Sequence, residues 1–319
     1  MSKKLYPTIS PYPGAKAGYV GEVIAEILPY EGIKQYFEVF GGMANIILHK
    51  APHPEEFYND LNQKLTTLMY VLSDGTLSNQ LFQLMLNPTE YYNQSGFDYA
   101  KFASEHMLSP DSDFMKEYAY NHELTTVEKA AQVWRTLLMS FNGSMERFKG
   151  LREVTEDGIN FELKGNHIKG TEALTLEYQL LKKQGISQRL KNVTILNVDA
   201  FKLIADMKIY DDVLMVCDSP YTLERRNGVP IYECDFDDND QRRYMNLIYD
   251  SSAKVLVCGY PSELYDNILI NSNGPHKWYR YEIAEVAKTM SISVKGGTKN
   301  RETEVIWTNW KITKKAPAR

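Results

Sequence analysis

The feature that most constrains the fold is the short apolar segment Val213–Cys217, which is followed at once by Asp218-Ser219-Pro220-Tyr221. A short apolar run between polar residues is typical of a strand that is buried on both faces, as in a parallel sheet. In open α/β sheets, ligands bind at the carboxyl ends of such strands. We therefore expect an α/β domain in which the residues after Cys217 face a ligand.

The chemistry of this segment suits a flat substrate that carries an amine. The Asp218 carboxylate can accept a hydrogen bond from an amine, and the Tyr221 ring can stack on a π face. Pro220 restricts the backbone between them. These properties fit a nucleobase with an exocyclic amine, although an ordinary Asp-Ser-Pro turn has the same composition. The other segments of the chain must decide between the two interpretations.

A second group of segments is typical of a nucleoside-binding βαβ unit. Residues Gln35–Phe40 read as a strand, Gly41-Gly42 as a turn, Met43–His49 as a helix and Glu56–Asp60 as a second strand. Glycines let the backbone approach a ligand, and an acid at the end of the second strand can accept from ribose hydroxyls. Because the glycines do not form the full dinucleotide fingerprint, an adenosine-containing ligand without a pyrophosphate fits better.

Further patterns predict the domain organisation. Strand patterns also occur at Asn192–Val198, Lys254–Gly259, Tyr279–Ala287 and Glu304–Thr308, and helical patterns at Tyr19–Leu28 and from about residue 240 to 252. Between residues 77 and 189, helical patterns alternate with polar loops, at Asn79–Met85, Tyr99–Met107, Val127–Leu138 and Ala173–Lys183. We expect one α/β domain formed by residues 1–76 and 190–319, with an inserted, mainly helical lobe formed by residues 77–189.

Composition excludes several classes of protein. No apolar run is long enough to cross a bilayer, and the first residues lack the apolar core of a signal peptide. The three cysteines, Cys217, Cys234 and Cys258, form no close-spaced pair, so a metal site and a disulfide framework are not expected and a cytoplasmic location is. The net charge of −5 argues against a surface that is basic throughout, but it allows a local basic patch.

Two clusters of cations are candidates for phosphate contacts. One follows the turn Phe141-Asn142-Gly143-Ser144, and the other lies in the glycine-containing segment Ser291–Arg301. Acids are interspersed among the first cluster, so a solvated mixed face is the alternative interpretation. Lys16 precedes a predicted helix, where backbone amides and a lysine together could hold an anion.

The order of these segments resembles that of the DNA adenine methyltransferases of the Dam type. Six segments carry the resemblance: Tyr12-Pro13-Gly14-Ala15-Lys16, Phe37–Ala44, Tyr58–Asn62, Phe141-Asn142-Gly143, Asp218-Ser219-Pro220-Tyr221 and Ser291–Arg301. They are similar, in that order, to the family's Pro-Gly-Gly-Lys motif, its Glu-Pro-Phe-x-Gly-x-Gly cofactor loop, its Asp-x-Asn segment, the turn of its recognition region, its catalytic Asp-Pro-Pro-Tyr motif and its carboxyl-terminal glycine-rich loop.

The chain departs from the family's pattern at several positions. Ala15 and Ala44 stand where glycine is usual, and Val39 replaces a proline. Ser219 replaces the first proline of the catalytic motif, which loosens the backbone where its carbonyl should face the substrate amine. The family's Asn-Arg pair before the turn near Phe141 is missing, so the resemblance does not imply a GATC target.

The resemblance implies a Rossmann-like, S-adenosylmethionine-dependent methyltransferase fold in which residues 77–189 form the target-recognition domain. It implies transfer of a methyl group from S-adenosylmethionine to N6 of an adenine flipped out of double-stranded DNA, without a metal. Double-stranded DNA is the expected partner; the sequence leaves open whether a cognate restriction endonuclease exists and what the oligomeric state is. The implied catalytic residues are Asp218, Ser219, Pro220 and Tyr221. The implied cofactor-binding residues are Tyr12, Gly14, Lys16, Glu38, Phe40, Gly41, Gly42, Met43, Ala44, Asp60, Asp199 and Asp218. The implied DNA-binding residues are Asn142, Arg147, Lys149, Lys295, Lys299 and Arg301.

Three other functions are compatible with these motifs. The same machinery could methylate a cytosine N4 amine or an RNA adenine, since Asp-Ser-Pro-aromatic motifs also serve cytosine-amine enzymes, but the order of segments favours adenine in DNA. Ser219 and Ala44 would also fit a DNA-binding protein that has lost catalysis, whereas the presence of Asp218, Tyr221 and Asp60 argues against this. An unrelated nucleotide-binding Rossmann protein is the third alternative.

Overall fold

The computed structural model describes residues 6–86, 124–139, 153–155, 158–160, 185–221, 236–287 and 301–313. Its helices are α1 (Tyr19–Ile27), α2 (Asn45–His49), α3 (Gln63–Ser73), α4 (Gly75–Leu86), α5 (Thr126–Met139), α6 (Gly185–Leu190), α7 (Ala200–Met207), α8 (Asp238–Ile248) and α9 (Glu263–Tyr265), and a π-helical turn, Asp266–Ile270, follows α9. Its strands are β1 (Gln35–Glu38), β2 (Glu55–Asn59), β3 (Glu153–Thr155), β4 (Gly158–Asn160), β5 (Val193–Leu196), β6 (Val213–Cys217), β7 (Lys254–Gly259), β8 (Tyr279–Ala287) and β9 (Arg301–Thr308).

Seven strands form a mixed sheet in the order β5-β2-β1-β6-β7-β9-β8. The neighbours from β5 to β7 are parallel, whereas β9 is antiparallel to both β7 and β8. The chain runs outward from β1 to β2 and β5, and then returns to β6 on the other side of β1. The carboxyl ends of β1 and β6 therefore flank a topological switch point, where ligands bind in open α/β sheets. This sheet confirms the predicted Rossmann-like α/β fold.

Strand β6 is the centre of the hydrophobic core, and all five of its residues are fully buried. Val213 and Met215 belong to a cluster that includes side chains of α7 and α8. Leu214 and Val216 alternate with them and are equally buried, so the strand is covered on both faces, as its apolar sequence predicts. Each buried side chain of this size contributes about 1.5–3 kcal/mol to folding.

The chain forms two compact units. The sheet unit comprises residues 1–5, 13–66 and 192–319, and the helical unit comprises residues 6–12 and 67–191. In the helical unit, α4 packs against α5, and the rings of Phe82 and Trp134 meet edge to face at 5.5 Å. The indole N–H of Trp134 donates to the carbonyl of Ile9 at 3.2 Å. The assignment of residues 77–189 to target recognition stays a prediction.

The apolar runs predicted the strands of the sheet better than the helices. Strands β7 and β8 have the predicted bounds, and β1 and β2 differ from them by one or two residues. Helices α3, α6 and α7 and the antiparallel pair β3–β4 were not predicted. Helix α3 contains threonine, tyrosine and valine, which have weak helix propensity, and α7 has only eight residues. The predicted helices Tyr99–Met107 and Ala173–Lys183 lie outside the described residues.

Three observations bear on the expectations from composition. Across the described ranges, no helix has both the length and the apolar character needed to span a bilayer. Among the residues that the structure describes, no group of three or more His, Cys, Asp or Glu side chains could hold a metal ion. Cys217 and Cys258 are buried free thiols, and Cys234 lies outside the described part of the chain.

The turn between β1 and α2 contains a residue under backbone strain. Ala44 adopts φ 52° and ψ 30°, the left-handed region that residues other than glycine avoid. Its side chain is fully buried, and its N–H donates to the carbonyl of Gly41 at 2.8 Å, which closes the turn. The left-handed conformation costs an L-residue about 1–2 kcal/mol relative to the right-handed one.

We expect Ala44→Gly to be nearly neutral for stability, within about 0.5 kcal/mol, even though it deletes a buried methyl group. Release of the left-handed strain offsets both the lost burial and the greater backbone entropy of glycine in the unfolded chain. Urea denaturation of the two proteins measures the difference.

Ala25→Gly is the matched control, because Ala25 is buried in the interior of helix α1 of the same unit. There the substitution should lower the free energy of unfolding by about 1–2 kcal/mol. Equal losses at the two positions would contradict the assigned strain.

Candidate active site

Strand β6 positions the segment Asp218–Tyr221 at the switch point of the sheet. The strand is held between β1 and β7, so the chain leaves it at a fixed place, and the carboxylate of Asp218 is 18% exposed. Ser219 is buried, while Pro220 and Tyr221 are half-buried. The segment is therefore rigidly attached to the sheet, and part of it is accessible to solvent.

Lys16 connects this segment to the loop before α1. Its Nζ donates to Oδ1 of Asp218 at 2.8 Å and to the hydroxyl oxygen of Tyr221 at 2.7 Å. It also lies 3.1 Å from the carbonyl of Gly14 and 3.1 Å from Oε1 of Glu304. Gly14 has a φ of 70°, and this turn brings its carbonyl back toward the lysine. One ammonium group, 7% exposed, thus holds the candidate acid and the candidate ring together.

The pKa values in this cluster are governed by burial and by charge. Burial by itself lowers the pKa of Lys16, but the attraction of Asp218 and Glu304 more than reverses this, so the pKa lies well above its ordinary value. Burial raises the pKa of Asp218; the ammonium of Lys16 opposes that rise, and the charge of Glu304 adds to it. Lys16 therefore stays protonated, while Asp218 is a better proton acceptor than an exposed aspartate.

Tyr221 is fixed by its hydroxyl and by its ring. The hydroxyl donates to Oε1 of Glu304 in a short hydrogen bond and lies 3.4 Å from Oδ1 of Asp218. The ring packs edge to face against Tyr260, with centroids 4.7 Å apart. Burial and the charges of Glu304 and Asp218 raise the pKa of Tyr221 well above its ordinary value, so the phenol is neutral.

A buried amide braces the backbone of the motif. Nε2 of Gln241, on α8, donates to the carbonyl of Pro220 at 2.6 Å. Oε1 of Gln241 accepts in turn from the hydroxyl of Tyr265 on α9. Gln241 is fully buried, so this hydrogen bond is shielded from water. The carbonyl direction just after Ser219 is therefore set by a side chain of the core.

The turn after β1 is held from two sides. The buried carboxyl of Glu38 accepts from the N–H of Ile47 in α2 at 2.9 Å, and burial raises its pKa to about 8. The N–H of Gly41 donates to the carbonyl of Asn59 at 2.7 Å. A Cβ added to Gly41 would lie 2.1 Å from the ring of Tyr58, so this position requires glycine.

Asp60 fixes the same turn from the end of β2. Its Oδ2 accepts from the N–H of Gly42 at 2.9 Å, and its Oδ1 accepts from the N–H of Asn62 at 2.8 Å. Burial raises its pKa, and the two backbone hydrogen bonds oppose the rise. Gly42 has a φ of 48°. Asp60 therefore fixes the glycine turn. This role does not depend on whether Asp60 also contacts a ligand.

Asn59 connects the ends of three strands. Its amide donates to the carbonyl of Val39 at 3.0 Å and to the carbonyl of Val198 at 3.1 Å. Its Oδ1 accepts from the N–H of Val198 at 3.0 Å. Because Val39 follows β1 and Val198 follows β5, this one buried side chain holds the carboxyl ends of β1, β2 and β5 in register.

The other predicted site residues have varied positions. The Phe40 ring meets the rings of Phe236 and Tyr244 edge to face, and Met43 is buried. Asp199 caps α7, where it accepts from the N–H of Lys202 at 3.0 Å, so its cofactor role stays a prediction. Tyr12 is half-buried and belongs to the helical unit.

Arg301 opens β9 with a side chain that is 60% exposed, and it donates to the carbonyl of Glu285 at 2.9 Å. The remaining predicted DNA contacts lie outside the described residues: Asn142, Arg147, Lys149, Lys295 and Lys299. Their roles stay predictions.

Sequence reasoning missed Glu304, Gln241 and Asn59. Glu304 begins the predicted strand Glu304–Thr308, and an acid directly before an apolar run was an available signal. Gln241 lies on the buried face of α8, and Asn59 lies next to the predicted acid Asp60. Asn59 follows the aromatic residues Phe57 and Tyr58, which was a signal, whereas Gln241 stands among polar residues in the sequence and offered none.

Chemically, the cluster presents two carboxylates and one ammonium beside a neutral phenol. The excess of one negative charge favours a cationic ligand, and the partly exposed Asp218 can accept hydrogen bonds from an amine. The ring of Tyr221 offers a flat apolar surface beside that carboxylate.

Comparison with known proteins agrees with this chemistry. A model of the family described as D12 class N6 adenine-specific DNA methyltransferase matches residues 12–291, which is most of the chain. No curated protein matches the chain. Because the family model covers most of the chain, the chain belongs to the D12 class of N6 adenine-specific DNA methyltransferases, S-adenosylmethionine-dependent enzymes that act on adenine in DNA.

Proposed function

We propose that Asp218, Ser219, Pro220 and Tyr221 hold the target adenine of this DNA methyltransferase at the carboxyl end of β6. The observation that carries the proposal is the direct connection, through the buried ammonium of Lys16, between the Asp218 carboxylate and the Tyr221 hydroxyl at the switch point of the sheet. In an ordinary surface turn, a lysine at this position would be solvated.

The residues around the switch point fit S-adenosylmethionine, which supplies a methyl group on a positively charged sulfonium. The negative excess of the cluster suits that charge. Glu38 and the turn Phe40–Ala44 would hold its amino-acid part near Lys16 and Gly14. Asp60 would accept from its ribose, for which a carboxylate has lone pairs beyond those used by Gly42 and Asn62. Asp199 would accept from its adenine amine, and Tyr12 completes the proposed set.

The target adenine must leave the duplex, because its amine cannot be reached while the base is stacked. Asp218 and the carbonyl of Ser219 would then accept the two hydrogens of the amine. The ring of Tyr221 would stack on the flipped base, for about 1–3 kcal/mol by analogy with other base–aromatic contacts. The hydrogen bond from Gln241 to the carbonyl of Pro220 supports this proposal, since it fixes the backbone next to Ser219.

The chain's residues contribute orientation and electrostatic stabilisation to the reaction. The two acceptors would turn the nitrogen lone pair out of conjugation with the ring and toward the methyl group that S-adenosylmethionine would supply, where a nitrogen–carbon bond would replace the sulfur–carbon bond. The nitrogen becomes positively charged and must release one proton. Asp218, whose pKa burial raises, would accept that proton on a carboxylate oxygen.

The partners follow from the same proposal. Residues 77–189 would recognise the target sequence, with Asn142, Arg147 and Lys149 as DNA contacts, and Lys295, Lys299 and Arg301 would bind phosphates. The reaction as proposed requires no metal. A cognate restriction endonuclease and a cytoplasmic location stay predictions.

We expect single-molecule sequencing of DNA from cells that express the protein to report N6-methyladenine within one short sequence context. DNA from cells that express Asp218→Ala is the control and should lack the mark. N4-methylcytosine in that context, or methyladenine in RNA alone, would support an alternative substrate instead.

We expect Asp218→Ala to lower kcat by at least about 100- to 1,000-fold, because it removes a group that orients the amine in the transition state. Binding of S-adenosylmethionine should weaken by no more than about ten-fold: the variant loses one negative charge near the sulfonium, but the turn after β1 and Asp60 still hold the cofactor. Methyl transfer to DNA and calorimetric titration measure the two effects.

Asp211→Ala is the matched control, because Asp211 is an exposed acid before the opposite, amino end of β6. It should retain the parent's kcat. Transfer by Asp218→Ala at a rate comparable to that of the parent would remove the proposed role of Asp218.

We expect Lys16→Met to move the acidic limb of the kcat–pH profile to higher pH. The ammonium of Lys16 lowers the pKa of Asp218, so its removal raises that pKa, and the carboxylate is then lost at a higher pH as the solution is acidified. The profile is measured with saturating DNA and S-adenosylmethionine. Lys202→Met, at an exposed position of α7, should leave the limb unmoved. An unmoved limb in Lys16→Met would show that Asp218 ionisation does not govern the reaction.

A further inference from the structure

Glu304 reaches the active-site cluster from a strand that carries none of the predicted catalytic residues. It lies in β9, one residue before Val305, which pairs with Gly259 of β7. Its side chain is 4% exposed. Its Oε1 lies 3.1 Å from Nζ of Lys16 and accepts the short hydrogen bond from the Tyr221 hydroxyl.

The burial of this carboxylate is costly for stability. Val305, Ile306 and Trp307 follow it in the strand and are fully buried, so an apolar residue at position 304 would continue the core. Replacing buried charges by apolar residues is often neutral or stabilising, so a buried ion pair is weak evidence for a stabilising role. The contacts of Glu304 with Lys16 and Tyr221 indicate instead that it acts on the cluster.

Two carboxylates attract the same ammonium group. Lys16 donates hydrogen bonds to the carbonyl of Gly14, to Oδ1 of Asp218 and to the hydroxyl of Tyr221, and it forms an ion pair with Oε1 of Glu304 at 3.1 Å. Without the carboxylate of Glu304, the lysine would be drawn further toward Asp218 and would occupy the lone pairs that the substrate amine needs. The hydroxyl of Tyr221 would also lose its acceptor, which would allow the ring to turn.

We propose that Glu304 is a positioning residue for methyl transfer: it holds the ammonium of Lys16 and the hydroxyl of Tyr221, and thereby keeps the Asp218 carboxylate open and the Tyr221 ring in place for the target base. The inference rests on the roles proposed above for Asp218 and Tyr221, and it adds the residue that sets their geometry.

The charge of Glu304 also acts on the ionisation of Asp218. The ionisable groups that face Asp218 come from the loop before α1, from β1, from β7 and the residue after it, from β9 and from its own segment: Lys16, Glu38, Cys258, Tyr260, Glu304 and Tyr221, besides the preceding Cys217. Glu304 raises the pKa of Asp218. Its neutralisation therefore lowers that pKa, and the acidic limb of the kcat profile should move to lower pH.

The test compares Glu304→Gln with the parent enzyme. We expect kcat to fall by about 10- to 100-fold, as for other small losses of alignment, with the acidic limb at lower pH. The Kd for S-adenosylmethionine should rise by no more than about five-fold, because the variant loses one negative charge of the cluster and keeps the turn that holds the cofactor. Glu304→Asp keeps the charge and should restore the position of the limb. Glu282→Gln, at a position of β8 with a side chain that is 61% exposed, is the matched control and should behave as the parent.

A double-mutant cycle tests the contact with Tyr221 and is read as a ratio of kcat values. Tyr221→Phe removes the hydroxyl and keeps the ring, so its effect and that of Glu304→Gln should be less than additive. If thermal unfolding shows that Glu304→Gln does not fold, the double-mutant cycle is measured with Glu304→Asp and Tyr221→Phe instead.

Two outcomes would overturn the inference. One is the parent's kcat in Glu304→Gln; the other is a lower kcat with an unmoved acidic limb and additive effects in the cycle, which is what a structural role alone would give. The variant Asp218→Ala distinguishes failure of this inference from failure of the proposed function. If Asp218→Ala is inactive while Glu304→Gln has the parent's activity, only the role of Glu304 is wrong. If Asp218→Ala is active, the proposed site itself is wrong.

Discussion

The structure depends on one buried ammonium group. A lysine that is withdrawn from water must be paired, and Lys16 finds its partners on segments that are far apart in the chain: its own loop, the end of β6 and the first half of β9. These segments can meet only when β6, β7 and β9 have formed their part of the sheet. The charge cluster therefore depends on formation of the sheet, and the site exists only in the folded chain.

The sheet supports this cluster through polar side chains at the carboxyl ends of its strands. Asn59 joins the ends of β1, β2 and β5, and Asp60 holds the glycine turn by two backbone N–H groups. Gln241 fixes the carbonyl of Pro220 by donating a hydrogen bond to it. Each is a buried or largely buried group whose hydrogen bonds are made to backbone rather than to solvent. Such bonds restrict loops more than exposed contacts do, because water cannot replace them.

The sequence predicted the parts of the fold that depend on local pattern. The apolar runs that became β6, β7 and β8 were recognisable because central strands bury both faces. The pairing of Asp218 with Tyr221 was predictable from their spacing and from the family resemblance. Glu304 had one local signal, its position directly before an apolar run, but its role was not predictable from that signal, because its partners are distant in sequence and no local spacing connects them. Asp199 has a local signal that fits two roles, because an acid after a strand predicts a ligand contact and a helix cap equally well. In the structure Asp199 caps α7.

The contact between Gly41 and the ring of Tyr58 has a consequence for variation in this protein. The ring fills the space that a side chain at position 41 would need. The two residues are not adjacent in sequence, and neither is ionisable near neutral pH. The two positions therefore form one steric unit: a larger residue at 41 becomes acceptable only if the aromatic ring at 58 is lost as well. Since the hydroxyl of Tyr58 also donates to the carbonyl of Gly42, that exchange would release the turn it was meant to preserve. Natural or engineered diversity in this turn must consequently come from its other positions.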